Sequence, residues 1–205
     1  MITTISYSQS EILKNILALH TDGTIDLDPT YSKGNFYRDG IPEPKYKFDI
    51  DPQFPYVGQA CATKLPFPDG SLDTILFDPP FLATTGPSLK KKSGNIINKR
   101  FGVFKNEPEL HEFFLKSLNE FYRISVNGGT LIFKCQDKVS SGKQYFSHCY
   151  IYEQARKIGW YAKDLFVLLA KTRVVADWQR TNQIHARKYH SYFWVFQKKK
   201  RNLCI

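Results

Sequence analysis

The sequence predicts an α/β sandwich with a largely parallel sheet. Apolar runs of strand length alternate along the chain with windows of helical period, so that helices separate most of the strands. Three of the strand runs also end in stretches of acidic, small or proline residues, the places where such sheets collect ligands. At 205 residues and 42% hydrophobic content, the chain suits one well-packed domain.

Taken in order, Ile12, Leu13, Ile16 and Leu17 share one face of a helix over 10–19, with Ser8 or Ser10 as its N-cap. Residues 24–27 form a short strand candidate, followed by a loop of turn-forming residues over 28–36. A second strand spans 45–50 and a third 72–77. Over 108–123, Leu110, Phe113, Phe114, Leu118 and Phe121 keep a helical period, and Asn127-Gly128-Gly129 is the expected stop. A buried strand over 130–134, a helix over 150–158 ended by Gly159, and β-rich runs over 161–169 and 192–197 complete the chain. There is no internal repeat.

The formal charge of +10 favours a polyanionic partner, because Lys and Arg gain from phosphate contacts and counterion release. Cys61, Cys135, Cys149 and Cys204 form no CxxC pair and have no His at ligand spacing. That argues against a zinc site and a secreted disulfide framework, and the cysteines fit a reducing, cytoplasmic setting. The first residues lack the pattern of a signal peptide, and no run nears the roughly 18 apolar residues needed to span a bilayer, so a soluble protein is expected.

After the third strand stands Asp78-Pro79-Pro80-Phe81. With the loop after the first strand and the acidic end of the second, this stretch resembles the class I S-adenosylmethionine-dependent methyltransferases. Within them it is similar to the enzymes that methylate exocyclic amino groups of bases, whose Asp-Pro-Pro-(Tyr/Phe) motif it matches letter for letter. The resemblance implies a Rossmann-like three-layer methyltransferase fold with a mostly parallel seven-stranded sheet, one domain over 1–205, and no separate target-recognition domain. It implies S-adenosyl-L-methionine as cofactor, held by Asp28, Pro29, Thr30, Gly34, Asp49, Ala62 and Thr63. Asp51 rivals Asp49 for the ribose hydroxyls, since register is open. Cys61 stands where the family often has an Asp against the cofactor's adenine, and Ser32 where it often has a second glycine.

The chemistry of the motif follows from its parts. An exocyclic amine on adenine or cytosine is a poor nucleophile, its lone pair being delocalised into the ring. Asp78 and the carbonyl of Pro79, by accepting its N–H bonds, would favour tetrahedral nitrogen and stabilise the positive charge that develops on it. Pro79 and Pro80 fix φ and offer no competing donor. Phe81 offers a flat face for an extruded base.

Two basic stretches complete the reading. Residues 82–105 carry Lys90, Lys91, Lys92 and Arg100 and read as a flap that grips phosphate. Residues 171–192, with Arg187, interleave cations and aromatics in a way that suits nucleic acid, or equally a β-hairpin. The expected substrate is DNA, at adenine N6 or, second, cytosine N4. The alternatives are an RNA methyltransferase acting on adenine N6 or guanine N2, and a non-catalytic nucleic-acid-binding subunit. Target recognition falls to the basic segments or to a protein partner.

Overall fold

The structure is a computed structural model that describes residues 1–81, 83, 104–140, 142–172 and 183–199. In chain order the elements are β1 (Ile5–Ser6), α1 (Gln9–His20), β2 (Leu27–Asp28), a short 3-10 turn (Asn35–Tyr37), β3 (Tyr46–Asp49), β4 (Gly58–Gln59), β5 (Leu72–Phe77), α2 (Glu107–Ile124), β6 (Ser125–Cys135), β7 (Lys138–Ser140), β8 (Lys143–Tyr145), α3 (Ser147–Ile158), β9 (Trp160–Leu169) and β10 (His190–Lys198). The main sheet runs β1-β9-β10-β6-β5-β2-β3-β4, and β7 and β8 form a separate hairpin. Among the described strands of this sheet, β10 alone runs against its neighbours, pairing antiparallel with both β6 and β9. Without the two-residue edge β1, seven strands remain, the number expected.

Alternation along the strands builds three layers. Ile75, Phe77, Leu131, Phe133 and Phe196 face α2 and α3, whose Leu110, Phe114, Leu118, Phe121, Ile151 and Ala155 complete that core. Leu76, Ile132, Phe193 and Val195 point the other way, onto Ile12, Leu13, Ile16 and Leu17 of α1. One-residue steps therefore send neighbouring side chains to opposite cores.

The caps explain the helix limits. Ser8, of the two candidates, accepts the amide of Glu11, and Asn106 accepts that of Glu109. The expected glycine stop of α2 is not where that helix ends. It ends at Ile124, the amide of Ser125 bonding Phe121, and β6 begins at once. Asn127-Gly128-Gly129 lies inside β6 as an irregularity: the pairing steps from Ser125 to Thr130 while β5 advances only from Leu72 to Thr74. Gly129 is needed there because a Cβ would meet the carbonyl oxygens of Val126 and Asp73 at 3.0 and 3.1 Å. The strand expected over 24–27 is β2, which begins three residues later and ends one residue later. Ile25 and Asp26 nonetheless carry ladder bonds, from Lys45 N to Ile25 O at 3.0 Å and from Tyr46 N to Asp26 O at 2.7 Å.

The 171–192 stretch connects the antiparallel strands β9 and β10, so the hairpin alternative describes its flanks. Among the described residues, no helix is long and apolar enough to cross a membrane.

Phe77 is fully buried and meets Phe121 and Phe133 edge-on at 4.8 and 4.9 Å. Phe77→Ala should lower the unfolding free energy by roughly 3–5 kcal/mol, measured by urea denaturation. A loss below about 1 kcal/mol would show that this aromatic cluster does not anchor β5.

Candidate functional site

From β2 the chain steps outward through β3 and β4, then returns to β5 on the other side of β2 and winds away from it through β6. The winding reverses between β2 and β5, and at their carboxyl ends lies a cavity of about 330 Å³. That volume is in the range of small-molecule and cofactor sites. Pro29, Thr30, Tyr31 and Ser32 form one wall, Asp49 and Ile50 a second, Ala60, Cys61 and Ala62 a third, and Asp78 and Pro80 a fourth. Phe104 and Phe113 cover it from α2 and the chain before it.

Asp28 ends β2 only 2% exposed. The Tyr37 hydroxyl donates to its Oδ2 at 2.6 Å, and the amide and hydroxyl of Thr30 donate to Oδ1 at 2.7 and 3.0 Å. Burial nevertheless pushes its carboxyl up to about 7, because three donors do not replace the lost hydration. The Thr30 hydroxyl also accepts the amide of Asp78 at 3.0 Å, bridging the ends of β2 and β5 across the reversal point. Asp28 is thus behind the cavity wall rather than in it, with Pro29 and Thr30 at the surface.

Asp49 ends β3 and lines the cavity; Asp51 does not. The Asp49 carboxylate accepts the amides of Ser32 at 2.8 Å and Asp51 at 2.9 Å, and burial raises its pKa. Ser32 adopts a left-handed backbone with φ 52°, the conformation the family's second glycine would supply at no cost. Gly34 is also left-handed, φ 65°, and a Cβ on it would lie 2.5 Å from the Tyr31 hydroxyl. It closes the loop onto Tyr31 and is not itself among the lining residues.

In the motif, Pro79 is buried while Asp78, Pro80 and Phe81 are half-buried. Asp78 Oδ1 is buried without a hydrogen-bond partner among the described residues, and the Lys134 ammonium stands 3.4 Å from it. Burial raises the Asp78 pKa and Lys134 opposes the rise. The Phe81 carbonyl accepts from Lys138. Lys138 is in turn paired with Glu107 at 2.8 Å, both buried, so the end of the motif is fastened to β7 and α2.

Ala62 lines the cavity and Thr63 does not, its hydroxyl lying 3.1 Å from Cys61 Sγ. Lys90, Lys91, Lys92 and Arg100 lie outside the described residues. Their flanks meet beside the cavity, where Ala83 pairs with Phe104. Arg187 is half-buried in the β9–β10 connection, shortly before the start of β10.

Several contacts had no sequence expectation. Phe113 reads from its spacing as helix core, and its second surface toward the cavity is invisible to a helical period. Lys134 stands at the carboxyl end of β6, where the strand rule alone could have found it. Asp137, 2% exposed, pairs with His148 Nδ1 at 2.7 Å, and the His148 ring stacks on Tyr192 at 4.3 Å. Asp137 and His148 are eleven apart in sequence and are brought together by the β7–β8 hairpin between them.

No protein-family model and no curated protein matches the sequence. Solved structures do resemble the fold. TrmN from Thermus thermophilus matches with a TM-score of 0.53 at 16% identity, over 92% of this chain and 48% of that one. A SAM-dependent methyltransferase from Aquifex aeolicus gives 0.51 at 14% identity, over 93% of this chain and 90% of that one. A SAM-dependent methyltransferase from Thermotoga maritima gives 0.52 at 16% identity, covering 94% and 88%. The chain spans about half the length of several structures that it matches, TrmN among them. At these identities the likeness establishes the Rossmann-like methyltransferase fold.

The raised pKa of Asp28 has a consequence for stability. An acid held near 7 when folded and near 3.9 when unfolded favours the folded state below the unfolded value and loses that contribution as pH rises through the folded one. Between about pH 4 and pH 7 the wild-type protein should therefore lose stability relative to Asp28→Asn, which does not titrate. Urea unfolding of both at pH 5 and pH 8 measures it. A difference that stays constant with pH would mean that Asp28 is ionised throughout.

Proposed function

We propose that the protein is an S-adenosyl-L-methionine-dependent methyltransferase acting on an exocyclic amino group of a nucleic-acid base, adenine N6 or cytosine N4 in DNA. The observation that carries this reading is the Asp-Pro-Pro-Phe turn at the reversal point of the sheet. It brings the half-buried carboxylate of Asp78 to the wall of a cavity of cofactor size.

The residues present fit the cofactor. Pro29, Ile50, Ala60 and Ala62 give apolar walls, and Asp49 keeps acceptor capacity, since a carboxylate has about four lone-pair sites and two amides use only part of it. Those spare lone pairs suit ribose hydroxyls. S-adenosylmethionine supplies, when bound, a methyl group on a positively charged sulfur.

The chain's own residues do the rest. Asp78 and the carbonyl of Pro79 accept the amine's N–H bonds and stabilise the charge that grows on nitrogen as it is methylated. Pro79 and Pro80 hold both acceptors at a set angle without a donor to compete. Phe81, its carbonyl fastened by Lys138, offers its ring to the base. Lys171, Arg187 and Lys188 stand by the β9–β10 connection at the same rim, and with Lys90, Lys91, Lys92 and Arg100 they carry phosphate affinity rather than base choice. The 205 residues form one methyltransferase domain, and a protein partner is the other source of target recognition.

Two measurements test the reading together. Isothermal titration should show S-adenosylmethionine binding to wild type and to Asp78→Ala alike, while Asp78→Ala cuts turnover on the order of a hundredfold or more. Phe81→Ala should weaken base capture by roughly 1–3 kcal/mol and Phe81→Trp should restore part of it. A folded Asp78→Ala protein that binds cofactor and methylates at the wild-type rate would sink the proposal.

A further inference from the structure

Lys134 has no part in the chemistry above, yet four elements converge on it. Its ammonium lies 3.4 Å from Asp78 Oδ1 and donates to Gln9 Oε1 at 2.9 Å, at the start of α1. The same nitrogen sits 4.8 Å from the ring centre of Phe36, 5.5 Å from that of Phe81 and 5.6 Å from that of Phe193. Phe36 comes from the loop after β2, Phe81 from the motif and Phe193 from β10. A Lys side chain left 12% exposed is unusual, since lysines are rarely buried without a partner. Three ring faces and one amide oxygen hold the cation without neutralising it. Asp78 is its one carboxylate partner among the described residues.

We infer that Lys134 is a positioning residue for Asp78: it turns Oδ1 toward β6, keeps the carboxyl group ionised in its half-buried place, and leaves the second oxygen to the target amine. This deepens the methyltransferase reading and rests on it for the last clause alone. Among the described residues, the charged and titratable groups that face Asp78 are Lys134 from β6 and Asp28 from the end of β2, while α1 contributes the neutral Gln9. Burial opposes a charge on Asp78, and Lys134 is the group that favours the ionised form. Gln9 fixes the ammonium from the far side. The α1 N-terminus, capped by Ser8, thereby reaches into the site through a single side-chain amide.

The test reads Asp78 directly. In protein carrying 13C at the aspartate carboxyl carbons, the Asp78 resonance, assigned by its loss in Asp78→Asn, is followed against pH in wild type, Lys134→Met and Lys134→Arg. Removing the cation should raise the Asp78 midpoint by roughly one pH unit or more, the effect of an opposite charge at this range. Lys134→Arg, which retains a cation, should hold the midpoint near the wild-type value, and Gln9→Ala should raise it by less than Lys134→Met. If Lys134→Met fails to fold, Lys134→Gln keeps a polar side chain there and should give the same rise. An Asp78 midpoint that is the same with and without the cation overturns the inference. Titration with S-adenosylmethionine on the same samples separates the two readings: absent cofactor binding with a shifted midpoint would end the methyltransferase proposal and leave the pair as a structural ion pair.

Discussion

The Thr30 hydroxyl is the contact on which the site depends. It donates to Asp28 and accepts the amide of Asp78, and so joins the ends of two neighbouring strands that are 48 residues apart. Without it, the end of β2 and the start of the Asp-Pro-Pro-Phe turn would be linked by few bonds, since β2 pairs with β5 in register at a single residue, Leu27 with Ile75. A hydroxyl suits the place because it can give and accept at once. A valine of the same shape would lose both bonds.

Charge is distributed unevenly along the rim. Asp28, Asp49 and Asp51 gather at the ends of β2 and β3, while Lys134 and Lys138 gather at and beyond the end of β6. Each of these buried or half-buried side chains has an answering group: Tyr37 and Thr30 for Asp28, loop amides for Asp49, Lys134 for Asp78, Glu107 for Lys138 and Asp137 for His148. Breaking such a pair costs more than the pair contributes, because it strands a buried charge. The packed aromatic layer of Phe77, Phe121 and Phe133 holds the strand that presents the motif rigidly enough for these pairings to keep their distances.

Much of this was legible in the sequence, for identifiable reasons. The limits of β5 followed from its apolar run and the prolines behind it, and α1 from four aliphatic residues on one face. The end of α2 was misread because Asn-Gly-Gly signals a helix stop locally, whereas here the strand begins first and Gly129 serves a close backbone approach to β5. In the site, Pro29, Thr30, Asp49, Ala62, Asp78 and Pro80 do converge on one cavity. Gly34, expected among the residues that hold the cofactor, is not one of the lining residues, and the Tyr31 ring packs against it. The pairs involving Lys134, Lys138 and His148 were not legible, because each joins residues from different elements and leaves no periodic trace.

The central claim is that this cavity presents a methyl donor to an exocyclic amine held by Asp78. The most direct measurement offers the protein labelled S-adenosylmethionine with DNA, total RNA and protein substrates in parallel, followed by nucleoside analysis. The account predicts label in an N-methylated nucleoside, N6-methyladenine or N4-methylcytosine from the DNA. Label in protein alone, or in a nucleoside methylated at ring carbon, would contradict it.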